Sequence, residues 1–421
     1  MLIVHASQLL TLAGGPQRGS DLGHLGIIED GAVLVREGLI LETGETADLL
    51  ARYPREDRLD AQNKVVMPGF VDPHTHAVWA GDRVSEFEMC LEGRSYMEIL
   101  AAGGGIQATV QATRSASPDD LTAQTRSRTQ TMFRNGTTTA EVKTGYGLET
   151  SCELVQLQTI LRLNQEGPIE LVPTLMPAHA IPPEFKANPG GYVDLVVSEM
   201  LPFMKGWMQE HASHLPLPFV DVFCEQGIFD LAQTRQILIA ARELGFPLKL
   251  HVDEFANLGG ATLAAEMSAA SADHLVKTSA DDIRILSDSK TAAVALPCTP
   301  FGLSSREYTP AKEILAAGGL LALATDLNPG TAWCENMQFV IALSCRYLGL
   351  TPSQAVAAAT INAAAAIQRE DRVGSIEPGK QADLLILSVN DFRHLAYRFG
   401  SNLVQTVIKK GRVYSHTSTL P

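Results

Sequence analysis

The chain has 421 residues, 45% of them hydrophobic, enough to bury one large core and a subsidiary one. Its formal net charge of −14 repels phosphate backbones and anionic membrane surfaces, which excludes nucleic-acid and membrane-surface roles and means that a small anionic substrate would need a local cation. Six cysteines (Cys90, Cys152, Cys224, Cys298, Cys334 and Cys345) are scattered without CxxC pairs and read as buried thiols of a reducing cytoplasm.

The N-terminal run MLIVHASQLLTL lacks the basic flank of a targeting segment, and no stretch reaches the roughly 18 apolar residues of a membrane span, so a soluble cytoplasmic protein is expected. GAVLVREGLILETG follows, with a hairpin signal at Arg36-Glu37-Gly38. The other end has the same character: ADLLILSV, then LVQTVIKKGRVYS with its Lys-Lys-Gly turn. Two β-rich ends flanking a different middle predict a small β-sandwich domain built from both termini, residues 1–65 with 367–421, around a domain spanning 66–366.

In that middle, eight extended runs recur, each separated from the next by a loop and a helix: VMPGFVDPHTH, TTTAEVKTG, ELVPTLMPAHA, FVDVFCEQG, PLKLHVDE, SADHLV, AVALPC and LLALATD. The alternation predicts an α/β fold, a (β/α)8 TIM-like barrel rather than an open sheet. Helix starts are legible at Ser117-Pro118-Asp119-Asp120 and at the capping box Thr351-Pro352-Ser353-Gln354; the first of these helices should stop at Asn135-Gly136. AVAAATINAAAAI reads as one alanine-rich helix, and Gly103-Gly104-Gly105 as a mobile loop.

The C-terminal ends of barrel strands share one face, where active sites form. The first run ends at His74 and His76, the third at His179, the fifth at His251, the sixth at His274 and the eighth at Asp326, so five of eleven histidines stand at run ends. His74 and His76 alternate onto one side of their run and can grip one ion. Zinc or iron accepts imidazole nitrogen and carboxylate oxygen, so His74, His76, His251 and Asp326 are the candidate metal ligands, with a position left for water. Asp326 could instead orient that water as a proton acceptor. The fourth run carries no lysine that could bridge two ions, which predicts one Zn2+ or Fe2+/Fe3+ per subunit, with Glu225 the residue able to add a second. Glu141 and Lys143 share one face of the second run and predict a barrel-interior ion pair.

PGFVDPHTH, the histidines of the fifth and sixth runs and the aspartate of the eighth resemble the amidohydrolase superfamily of metal-dependent hydrolases. The segments LAAGGGIQATV, GTTTAEVKTGYGLE, AHAIPPE, HVDE and ATDLNPG narrow the likeness, nearly end to end, to the branch that opens an imidazolone ring in histidine degradation. That resemblance implies hydrolysis of the ring amide of 4-imidazolone-5-propanoate to N-formimidoyl-L-glutamate by a metal-activated water, in a homodimer. It implies catalytic roles for Glu254, His274 and Asp326: Glu254 moving a proton to the leaving nitrogen, His274 orienting the water or steadying the oxyanion. Arg83 and Tyr146 would receive the propanoate carboxylate, the guanidinium bidentately, and His179, Glu254, Asn328, Gly330 and Thr331 would touch the substrate. Asp82 and the loop PCTPF depart from the family's usual pattern.

A deaminase of a nucleobase-like ring would use the same His251, Glu254, His274 and Asp326, but a neutral base gives Arg83 and Tyr146 no carboxylate to bind. A noncatalytic scaffold has no use for a complete ligand set. His5, His24, His211, His214, His394 and His416 lie off the run ends and carry no role here.

Overall fold

The computed structural model describes residues 1–94, 98 and 104–415. Gly103 and His416 fall outside them, and the side chain of Cys90 is not described. In the N-terminal run Leu2–Leu10 (β1) side chains on both faces are buried, because the strand lies inside a seven-stranded mixed sheet. It pairs antiparallel with Ile27–Arg36 (β2) and parallel with Arg58–Pro68 (β4), while Leu39–Glu45 (β3) flanks β2. The two-residue turn between β2 and β3 holds Glu37 at φ 51° and Gly38 at φ 79°, the left-handed pair that matches the twist of a hairpin.

The barrel strands follow: β5 (Phe70–Asp72), β6 (Thr137–Lys143), β7 (Glu170–Ala178), β8 (Phe219–Cys224), β9 (Leu248–Val252), β10 (Ser271–His274), β11 (Ala292–Ala295) and β12 (Leu321–Leu323). They pair in parallel in sequence order, and β5, β6 and β8 to β12 are buried along their whole length, as strands covered on both faces must be. The ring closes just past the strands, where Thr75 bridges Leu327, Asp326 N–H donates to His74 O (3.1 Å) and His76 N–H to Leu327 O (2.8 Å). The eight predicted runs are therefore the eight strands of a (β/α)8 barrel.

The remaining strands, β13 (Leu384–Leu387), β14 (Val404–Lys409) and β15 (Arg412–Ser415), return to the first sheet and complete the order β15-β14-β13-β4-β1-β2-β3. Ile3, Val33, Ile40, Val66, Leu384, Ile386 and Ile408 share one core there, and Ile40 N–H donates to Lys380 O (2.9 Å), so both ends of the chain make one unit.

The helix Pro118–Arg134 begins as expected, with Ser117 Oγ accepting from Asp120 N (3.1 Å), and gives way to Gly136 at φ 98°. The Thr351–Gln354 capping box opens the helix Pro352–Ala358. The single helix expected over AVAAATINAAAAI is instead two, Pro352–Ala358 and Ile361–Ala366. Thr360 breaks it with φ −130° and ψ −93°, its hydroxyl bonded back to Val356 O (2.7 Å), and the carbonyl of Ala359 is taken by Val71 N of β5 (3.1 Å). Cys152, Cys224 and Cys298 are buried free thiols, and Cys334 and Cys345 half-buried ones. Among the described residues no helix is long and apolar enough to cross a membrane.

Candidate metal centre and active site

Five of the eight barrel strands deliver polar residues to the same bowl. His74 and His76 follow β5, His179 follows β7, His251 lies within β9, His274 ends β10 and Asp326 stands past β12. His274 (φ 79°) and Asp326 (φ 55°) hold left-handed backbone, strain of the kind that surrounding structure sustains at functional sites. Ligand atoms of His74, His76 and Asp326 lie within 4.8 Å of one another, as do those of His74, His251 and His274.

Carboxylates stand behind two of these imidazoles. Asp273 Oδ2 sits 2.6 Å from His74 Nδ1 in a hydrogen bond that holds the proton on Nδ1 and turns a bare Nε2 inward, and Asp221 Oδ2 lies 3.0 Å from His251 Nδ1. His74 Nε2 is buried without a hydrogen-bond partner, yet Asp326 Oδ1 stands only 3.4 Å away, and His76 Nε2 and His251 Nε2 face each other at 3.2 Å. Acceptor atoms crowded together out of water call for a cation between them, so the residues fit a divalent metal. Burial, with neighbouring cationic groups adding to it, holds His74, His76 and His274 well below the ordinary histidine range, which keeps them neutral as ligands must be.

Glu254, two residues past β9, places Oε2 3.5 Å from His274 Nδ1. Burial first, then the charges of Asp326 and Glu225, push its carboxyl well above the ordinary range. Burial likewise raises Asp326 to about 6 against the opposing bond from Thr299, a residue of the departing PCTPF loop. Glu225 spends its carboxylate on the N–H groups of Gln226 (2.8 Å) and Phe255 (2.9 Å).

Above this floor lies one cavity of about 150 Å3, lined by Arg83, Tyr146, His179, Glu254, Asn328, Gly330 and Thr331 together with His76, His251, His274 and Asp326. Every substrate-contacting residue expected from the sequence is there, and none of His5, His24, His211, His214 and His394 is. His179 Nδ1 lies 3.1 Å from Gly145 O, and burial brings the ring down to about 3, leaving it a neutral hydrogen-bonding group. Asn328 works inside its own loop: Oδ1 accepts from Gly330 N and Thr331 N, both at 2.8 Å. Asp82 caps the following helix, Oδ1 accepting from Val84 N at 3.1 Å. The bidentate role expected of Arg83 is narrowed, because Glu86 already holds one edge of the guanidinium, with Arg83 Nε donating to Glu86 Oε2 at 2.9 Å.

Sequence reasoning missed Asp221, Asp273, Thr299 and Glu86. The first two sit in barrel strands where a carboxylate reads as part of an interior ion pair, which Asp221 also is: Lys143 Nζ reaches Glu141 Oε1 (2.7 Å) and Asp221 Oδ2 (2.9 Å).

Comparison with known proteins decides the family. The amidohydrolase family pattern matches residues 236–414, and the bacterial imidazolonepropionase-like composite domain matches 31–55. Imidazolonepropionase of Herpetosiphon aurantiacus is 51% identical over 97% of both chains, and that of Chloroflexus aggregans 47% over 98% of both. The chain belongs to the imidazolonepropionase family. It is therefore a hydrolase of the amidohydrolase type, with the His/Asp cluster as its site for a divalent metal. The amidohydrolase fold is shared more widely: a zinc-bound adenosine deaminase of Xanthomonas campestris superposes with TM-score 0.69 at 18% identity, covering 98% of this chain and 92% of its own.

Proposed function

We propose that the chain hydrolyses the ring amide of 4-imidazolone-5-propanoate to N-formimidoyl-L-glutamate, with one Zn2+ or iron ion held by His74, His76, His251 and Asp326. The observation that carries this reading is the single cavity in which an imidazole and carboxylate floor faces Arg83 and Tyr146, the donors a carboxylate arm needs. The family's printed name supports the substrate. A neutral nucleobase offers no carboxylate to the end of Arg83 that Glu86 leaves open or to Tyr146, which disfavours the deaminase alternative.

When bound, the ion supplies Lewis acidity, making a water nucleophilic near neutral pH and steadying the oxyanion. The chain's own residues do the rest. Arg83 and Tyr146 hold the propanoate and so place the ring over the floor; His179 and the Asn328–Thr331 loop border it. Glu254 takes a proton from the attacking water and returns one to the ring nitrogen as the C–N bond breaks, so that the carbonyl carbon leaves as carboxylate. His274, whose Nδ1 lies 3.5 Å from Glu254 and whose Nε2 is buried without a partner, donates its one N–H toward the oxyanion from Nε2.

The test is loss of imidazolonepropanoate absorbance on adding purified, metal-analysed protein; no turnover by the metal-loaded chain sinks the reading. One ion per active chain is expected, because Glu225 is spent on backbone donors. Two tightly bound ions, the second lost in Glu225→Ala, would overturn the single-ion assignment.

Arg83→Ala should lower kcat/KM by about 2 to 4 kcal/mol in transition-state terms, and Arg83→Lys by less, without changing metal content. On an imidazolone lacking the propanoate arm the alanine variant should lose little further. Equal damage to both substrates would move the carboxylate pocket elsewhere.

A further inference from the structure

Arg83 is not a free cation waiting for an anion. It precedes the helix Val84–Leu91, in whose first turn Glu86 takes the side-on edge of the guanidinium: Nε donates to Oε2 at 2.9 Å and Nη2 to Oε1. Glu86 is itself fixed, because Oε2 also accepts from Gly105 N at 2.7 Å, at the head of the helix Ile106–Ser115. Burial alone would raise the Glu86 carboxyl; the bonds from Arg83 and Gly105 outweigh it and hold the group below the ordinary range, so it stays ionised. On the opposite side Nη1 is pressed against Gly330: a Cβ added there would lie 2.2 Å from it. The guanidinium is thus clamped between Glu86 and the backbone of the loop after β12, with its end rather than its side-on edge left for a ligand.

A clamped cation is a ruler. An unanchored arginine has several rotatable bonds and follows an anion to wherever the rest of the ligand puts it; an anchored one accepts only a carboxylate that arrives at one distance from the floor. We propose that Glu86 is the residue that sets arm-length selectivity, holding Arg83 so that the cavity favours a carboxylate on a two-methylene arm over shorter and longer homologues. Glu86 does this as a positioning residue, acting through Arg83. The inference rests on the proposed substrate for the arm length it names and extends it with a residue and a mechanism of discrimination. It also gives Gly330 its reason: any side chain there would have to push the guanidinium away, and Glu86 prevents it from moving.

The test measures binding of three unreactive probes, imidazol-4-yl acetate, propanoate and butanoate, with neutral 4-methylimidazole as the armless control. Wild type should prefer the propanoate; in Glu86→Ala that preference should shrink by about 2- to 10-fold, the freedom regained by one long side chain, whatever happens to absolute affinity. Glu86→Gln, which keeps an acceptor but not the charge, should fall between. 4-Methylimidazole should bind all three proteins alike. Gly330→Ala should weaken propanoate binding more in wild type than in the Glu86→Ala background, where the guanidinium can step aside. An unchanged ratio among the three acids overturns the proposal, as does an equal loss for 4-methylimidazole, which would make Glu86 a support of the fold. Turnover of imidazolonepropanoate by wild type is read separately: if turnover is present and the ratio unmoved, only the ruler falls; if turnover is absent and the ratio moves, only the substrate assignment falls.

Discussion

Glu254→Gln should lower kcat by about 10² or more while leaving metal content intact. Glutamine preserves the shape of the side chain and its place 3.5 Å from His274 but cannot accept a proton from water or return one to nitrogen. Burial and the nearby Asp326 and Glu225 raise the native carboxyl above the ordinary range, and glutamine removes that titratable group altogether. KM should change much less than kcat if, as proposed, Arg83 and Tyr146, which line the same cavity, hold the carboxylate arm. Steady-state kinetics beside metal analysis decides the matter: near-normal turnover would reduce Glu254 to a lining residue and shift the proton transfer to Asp326.

Lys143→Met should destabilise the fold by about 3 to 5 kcal/mol, the cost of leaving buried charge without its partner. Lys143 is buried, and its ammonium is the shared counter-ion of Glu141 and Asp221. Burial works against that charge, yet Asp221, Glu141 and Asp273 raise the Lys143 pKa above its usual value, so the ammonium persists through neutral pH. Methionine fills the volume without neutralising either carboxylate. The loss should show in denaturant unfolding of the metal-free protein, which separates it from any effect on the ion. A change under about 1 kcal/mol would mean that Glu141 and Asp221 find other compensation. Because Asp221 also lies 3.0 Å from His251 Nδ1, the variant should bind metal more weakly as well.

The residues that gather at the floor of the cavity were legible in the sequence because chemistry and position coincide: His74, His76, His251, His274 and Asp326 are unusual residues at the ends of apolar runs. The supporting residues were not. Asp221 and Asp273 occupy strand positions where a carboxylate signals a barrel-interior pair, and only their distances to His251 and His74 reveal what else they do. Glu86 is an ordinary helical i,i+3 partner of Arg83 by spacing, and nothing in spacing says that Gly105 and Gly330 complete a clamp. The break at Thr360 was hidden for a similar reason: helix propensity is local, whereas the demand of Val71 for the carbonyl of Ala359 comes from a distant strand.

The seam that closes the barrel has a consequence for how the protein matures. Thr325 donates to Asp72, 253 residues earlier in the chain, and the neighbouring Asp326 and His74 are stitched together by backbone bonds at the same seam. A chain emerging from the ribosome makes His74 and His76 early and Asp326 among the last residues of the barrel, so no partly synthesised chain can bring the three together. Such long-range closure is entropically late in folding. A chain truncated before the eighth strand is left with an open ring and without the carboxylate that stands 3.4 Å from His74 and 3.5 Å from His76.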